Sequence, residues 1–136
     1  MISDRELIDL AIEARKAAYT PYSNFKVGAA LLSGNGEVYK GCNIENAAYT
    51  PTNCAERTAF FKAVSEGVTD FEAIAIVGGY DKEELKFCPP CGVCRQVMME
   101  FCKSDKFRVL LLDEKGEIKS YLLKELLPFG FGPKNL

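Results

Sequence analysis

Among its 136 residues the chain has no histidine and no tryptophan. Without histidine there can be no Ser-His-Asp triad, no Cys-His pair and no His-Glu-x-x-His zinc site. Proton transfer must therefore fall to Asp, Glu, Lys, Tyr, Cys or a metal-activated water. Also missing is any apolar run near the roughly 20 residues a membrane helix needs. No basic block occurs, and 17 Lys and Arg stand against 19 Asp and Glu. That balance argues against affinity built on phosphate contacts, hence against a nucleic-acid partner, and leaves a small neutral substrate open. Met1 to Glu6 lacks the charged-then-apolar order of a secretory leader, so the cytoplasm is the expected compartment. In that compartment six cysteines read as ligands, buried thiols or catalytic groups rather than disulfides.

What is present is enough apolar residue, 48%, for a core. No repeat, linker or low-complexity segment interrupts it, so residues 1–136 are expected to form one domain. Ser3-Asp4-Arg5-Glu6 is a capping box, and a helix is expected to about Ala18, with Leu7, Ala11 and Ala14 on one face and Ile8 and Ile12 beside them. Thr20-Pro21-Tyr22-Ser23 breaks the chain. Phe25 to Leu32 reads as a central strand, and the turn Ser33 to Gly36 returns it as a hairpin over Val38 to Asn43. A helix over Cys54 to Val64, a strand over Phe71 to Val77 and a polar loop over Gly78 to Pro90 follow. A helix over Cys91 to Cys102, strands over Arg108 to Leu112 and Ile118 to Tyr121, and a short helix over Leu122 to Leu127 precede the tail. This order predicts an α/β fold, a mixed sheet with helices on its faces.

Chemistry concentrates in Cys54-Ala55-Glu56 and Pro90-Cys91-Gly92-Val93-Cys94, each at an expected helix start. Zinc binds thiolates, and a helix N-terminus, with its partial positive charge and unpaired N–H groups, favours them. Two such ends facing each other bring together Cys54, Cys91 and Cys94. Three protein ligands leave the fourth tetrahedral position to water, as catalytic zinc requires. Glu56, two residues past a ligand, can reach that position and shuttle protons without binding the metal. This is the known signature of zinc base deaminases, recognised as a pattern rather than deduced from spacing. A rival lies in Cys88-Pro89-Pro90-Cys91: with Cys88 as fourth ligand the site is closed and the chain is a structural-zinc module, not an enzyme.

Beyond the zinc motif the chain resembles the homotetrameric zinc-dependent cytidine deaminases nearly end to end. The resemblance is carried by Tyr22-Ser23-Asn24-Phe25-Lys26-Val27-Gly28-Ala29-Ala30, by Gly41-Cys42-Asn43-Ile44-Glu45-Asn46-Ala47-Ala48-Tyr49, by Cys54 to Ala59, by Pro90 to Gln96 and by Glu125-Leu126-Leu127-Pro128. It implies a three-layer α-β-α sandwich around a mixed five-stranded sheet. It implies zinc on Cys54, Cys91 and Cys94, with Glu56 as proton shuttle and Arg57 donating to the ligand thiolates. Asn43 and Glu45 are implied to bind the sugar, Phe25 to pack on the nucleoside, and the backbone at Ala55 and Pro89 to meet the pyrimidine edge. Phe131 and Tyr49 are implied to act across subunit interfaces. The implied reaction is hydrolytic deamination of cytidine and 2′-deoxycytidine, a step of pyrimidine salvage, with a blasticidin S-type deaminase as the near alternative. Two residues depart from the family pattern: Pro89 stands where Ser or Thr is usual, and Cys88 is uncommon. Cys42 and Cys102 read as small buried apolar side chains.

Overall fold

The computed structural model describes residues 2–136. Helix α1 spans Asp4–Arg15 and begins with the reciprocal capping box: Glu6 N donates to Ser3 Oγ and Ser3 N to Glu6 Oε1, both at 3.1 Å. The helix stops three residues short of the expected Ala18. Its last amides, Lys16 to Ala18, bond three residues back, and Tyr19 N then donates to Asn43 O at 3.0 Å, which draws the chain into an extended bridge beside Ile44. Tertiary pairing thus overrides local helix propensity here.

Strands β1 (Phe25–Ser33), β2 (Val38–Cys42), β3 (Phe71–Tyr80), β4 (Arg108–Leu112) and β5 (Ile118–Leu122) form one sheet in the order β2-β1-β3-β4-β5. Only β3 and β4 run parallel; the other pairs are antiparallel. The mixed five-stranded sheet is the one the resemblance implied. Helices α2 (Ala55–Ser65) and α3 (Gly92–Phe101) precede β3 and β4, and α3 makes the crossover that a parallel pair needs. A short α4 (Leu123–Leu126) and a 3₁₀ turn (Pro133–Asn135) complete the chain.

Alternation along the strands splits the core into two layers. Ala30, Leu32, Ala73, Ala75, Val77 and Leu110 pack on Leu7, Ile8 and Ala11 of α1. Ala29, Leu31, Ile74, Ile76, Val109 and Leu111 face the other way, onto Ala59, Phe60 and Met98 of α2 and α3. Gly41 fixes how close α2 lies to the sheet: a Cβ there would come within 2.5 Å of Ala55 O and Ala59 N. Bulk at that position would push away the helix start that carries Cys54.

The loop expected from Gly78 begins later. Gly78 and Gly79 continue β3 to Tyr80, paired with Val27 and Lys26. A Cβ on Gly79 would lie 2.9 Å from Glu84 O. The two glycines therefore serve not as a turn but as bare strand over which the 81–90 loop folds back, with Lys86 N donating to Gly78 O at 2.8 Å.

Candidate active site

Cys54 and Cys91 occupy the N-cap positions of α2 and α3 with extended backbone (φ −76°, ψ 156° and φ −67°, ψ 167°), and neither side chain caps its helix. Both thiols are therefore free to leave the helix axis and meet. Cys54 Sγ lies 3.9 Å from Cys91 Sγ, and Cys91 Sγ lies 3.6 Å from Cys94 Sγ. All three sulfurs fall within 4.8 Å of one another. A tetrahedral zinc with Zn–S bonds of about 2.3 Å has sulfur–sulfur edges of about 3.8 Å, so the donor set fits that metal. Thiolate softness favours zinc over the hard, oxygen-seeking cations.

The surroundings favour charge on these sulfurs. The Cys54 thiol is pulled down to about 5 by a hydrogen bond from Cys94, which outweighs burial, and then by Arg57. Arg57 donates from one terminal nitrogen to Cys54 Sγ at 3.1 Å. Cys94 moves the other way because it donates to Cys54 and is buried. The first negative charge of this pair thus settles on Cys54 rather than on Cys94.

Glu56 sits on the first turn of α2 and is only 4% exposed. Burial raises its carboxyl to about 7, and the charge on Cys54 adds to the rise. A carboxyl balanced near neutrality can both accept and return a proton.

Cys88 lies outside the metal-binding group found among the described residues. Its thiol is turned to Gly78, where a Cβ would meet Cys88 Sγ at 2.7 Å, and burial pushes it up to about 12. The closed four-thiolate arrangement is not formed: the segment runs from the Lys86–Gly78 bond into Pro89-Pro90 and holds Cys88 against the sheet.

The other expected residues fall into two environments. Phe25 opens β1 with its ring edge-on to Tyr80, centroids 5.1 Å apart. Asn43 does not project freely from the strand end. Its Nδ2 donates to Phe25 O at 2.8 Å and its Oδ1 accepts from Val27 N at 2.9 Å, leaving one N–H and one lone pair for any ligand. Glu45 accepts from Tyr22 N at 3.0 Å, Ser23 N at 3.1 Å and the Ser23 hydroxyl, and its carboxyl is lowered chiefly by that hydroxyl. Together with Tyr22, Ser23, Asn46, Tyr49 and Thr52 it lines a cavity of about 380 Å³. Tyr49 is 76% exposed in a left-handed conformation, φ 63°. Ala55 is fully buried at the start of α2. Phe131 stands exposed on the tail, its carbonyl accepting from Gln96 Nε2 at 2.8 Å.

Two contributors carried no role in the sequence reading. Arg95 donates from Nε to Pro90 O at 2.7 Å and from a terminal nitrogen to Leu126 O, tying the loop before Cys91 to α4. Ser23 holds the Glu45 carboxylate. Both lie inside the segments that carry the family resemblance, and that was the only signal they gave.

With the three-sulfur group and its buried carboxyl in place, the family follows. The model for the cytidine and deoxycytidylate deaminase zinc-binding region matches residues 1–110. The chain belongs to the cytidine deaminase family. It is 52% identical to a cytidine deaminase from Halalkalibacterium halodurans over 134 residues, 98% of each chain. A crystal structure of cytidine deaminase from Burkholderia pseudomallei superposes with a TM-score of 0.86 at 45% identity, covering 96% of this chain and all of that one. A blasticidin-S deaminase from Bacillus cereus is 30% identical over 132 residues, 94% of this chain and 91% of its own. As a family member, the chain is a hydrolytic deaminase with a zinc-binding region, and its Cys54, Cys91 and Cys94 sulfurs are grouped so that they could hold the ion. No helix among the described residues is long and apolar enough to cross a membrane.

Proposed function

We propose that this protein hydrolyses free cytidine and 2′-deoxycytidine to uridine and 2′-deoxyuridine, releasing ammonia. One observation carries the reading: three sulfurs at zinc-fitting separations, with the buried Glu56 carboxyl on the helix turn that starts at Cys54. Cys54, Cys91 and Cys94 would hold the zinc, which when bound would acidify a water and make it a nucleophile for C4 of the ring. Glu56 takes one proton from the attacking water to ring N3, then carries a second, from the hydroxyl formed at C4, to the amine as the C4–N bond breaks and the C4 carbonyl forms. Arg57 holds the Cys54 thiolate. Phe25 packs against the nucleoside, and the backbone at Ala55 and Pro89 meets the pyrimidine edge; a proline keeps the carbonyl that this contact uses.

The sugar falls to Asn43 and Glu45. The remaining N–H of Asn43 and the Glu45 carboxylate, already oriented by Tyr22 and Ser23, suit a 3′-hydroxyl. Enclosing that hydroxyl excludes a 3′-phosphodiester, so the substrate is the free nucleoside rather than nucleic acid. The working form in this proposal is a cytoplasmic homotetramer of one-domain subunits, residues 1–136. Tyr49 and Phe131, exposed in the single chain, complete neighbouring sites in it.

The test follows the ultraviolet absorbance lost as cytidine is deaminated, with and without a zinc chelator, and beside blasticidin S as a competing substrate. Rapid, chelator-sensitive loss with cytidine preferred is the expected result. Turnover of blasticidin S alone, or turnover indifferent to chelation, would overturn the assignment.

A further inference from the structure

The mechanism uses three of the six cysteines and leaves Cys88, the most closely placed of the others, without a task. Its surroundings give it one. Side chains at 74, 76, 78 and 80 of β3 and at 25, 27, 29 and 31 of β1 share the α2/α3 face of the sheet, as Ile74, Ile76, Ala29 and Leu31 show in the core. Phe25 pairs with Tyr80 and Val27 with Gly78, so Gly78 lies diagonally behind the Phe25 ring. The notch left by its missing side chain is filled from two directions. A Cβ there would meet Cys88 Sγ at 2.7 Å, Cys88 Cβ at 3.1 Å and Phe25 Cε2 at 3.1 Å. Tyr80 bounds the same ring edge-on, at 5.1 Å between centroids. Phe25 is thus boxed by Tyr80 on one side and by the Cys88–Gly78 contact on the other.

The far side of the box is anchored to the metal centre. Cys88 is three residues ahead of Cys91, on a segment pinned at one end by Lys86 N to Gly78 O (2.8 Å) and at the other by Arg95 Nε to Pro90 O (2.7 Å). Pro89 and Pro90 allow little backbone freedom between these two bonds. A change in volume at Cys88 or Gly78 must therefore be taken up by the softest neighbour, the partly exposed Phe25 ring, rather than by the loop.

We infer that Cys88, seated in the notch of Gly78, is a positioning residue that sets the height of the Phe25 ring and through it the affinity for the nucleoside. The inference rests on the proposed role of Phe25 against the substrate. It assigns Cys88 neither metal binding nor chemistry; the residue acts by volume.

A double-mutant cycle on the zinc-loaded protein tests this. Gly78→Ala adds a methyl where the sulfur sits and should raise KM for cytidine about tenfold while kcat changes less than about threefold, the scale of one misplaced methylene in a pocket. Cys88→Ala opens a void and should raise KM about threefold. In the double variant the new methyl fills the vacated space, and KM should return to within about threefold of the unsubstituted protein. Zinc content should stay constant throughout. An unchanged KM in Gly78→Ala, or no recovery in the double variant, overturns the inference. If Gly78→Ala alone does not fold, Cys88→Ala decides: a KM equal to that of the unsubstituted protein overturns it. The unsubstituted protein separates the two readings. Its failure to deaminate cytidine sinks the proposed function, whereas normal activity with an intact KM in the variants sinks only this inference.

Discussion

The N-cap of α1 and the N-caps of α2 and α3 occupy the same structural position and do opposite things. Ser3 caps α1 in the ordinary way, donating and accepting within one turn, and Glu6 is held below its usual carboxylate range by bonds from the Ser3 backbone and hydroxyl. Cys54 and Cys91 leave their helices uncapped, and the carboxyl on the first turn of α2, Glu56, is driven up by burial. One helix start is optimised for folding. The other two give up capping so that sulfur and carboxyl can face a common point. The comparison shows what such a site gives up locally: the side-chain cap at two helix starts and the solvation of an acid, on the α2/α3 side of the core.

The sharpest break of that comparison is Glu56→Gln. It keeps the shape of the side chain but removes the proton carrier, so turnover should fall by about 10⁴-fold with bound zinc unchanged; activity near that of the unsubstituted protein would remove Glu56 from the mechanism. Next comes Cys91→Ser, which makes α3 resemble α1. Zinc should be lost to a competing chelator, while the zinc-free protein should be as stable as before or gain up to about 1 kcal/mol from the new cap. Metal analysis paired with urea denaturation reads both effects.

A pH series on the zinc-free protein sharpens the contrast between the two carboxyls. Glu56 has a folded pKa raised from about 4.5 to about 7. Between those values the folded state holds the proton and the unfolded state does not, so this group's contribution to stability falls as pH rises through the window and is level above it. Cys54, lowered from 9 to about 5, acts in the opposite direction over its own window, adding stability as pH rises. The Glu56 effect is therefore read as the difference in urea midpoint between the unsubstituted protein and Glu56→Gln, which should grow in favour of the variant from pH 4.5 to 7. Glu6, lowered, supports the fold above its unfolded pKa and loses that support only as acid titrates it. The smallest effect belongs to Ser3→Ala, expected to cost about 1 kcal/mol of stability with zinc content and kcat unmoved. A loss of zinc in that variant would mean that α1 and the metal face are coupled through the sheet.

The parts that were legible in the sequence are those with local signals. The capping box spans four residues and formed as expected. The hairpin turn, the strand starts and the two cysteine-bearing helix starts appear within a residue or two of their expected places. Where the structure departs from the local signals, a distant partner decides the matter. The end of α1 was set by the Tyr19–Asn43 bond, and the extension of β3 through Gly78-Gly79 by pairing with β1. Asn43 was legible as a polar residue at a strand end. Its engagement with Phe25 and Val27 was not, because both partners lie sixteen or more positions away. Cys88 is the clearest case: as one half of Cys-Pro-Pro-Cys it looks like a possible ligand, and only the neighbouring strand reveals the notch it fills.

By itself the sequence determined which chemistry was open to this protein. The lack of histidine left acids, amines, phenols, thiols or a metal-activated water to do the work, and the placing of Cys54-Ala55-Glu56 and Cys91-Gly92-Val93-Cys94 at helix starts is a property of the chain that no packing can supply. The tertiary structure alone decided which of four nearby thiols gather into the metal-binding group and how far a buried acid is pushed towards neutrality. Both depend on distances between segments and on the exclusion of water, and neither quantity is carried by any stretch of residues on its own.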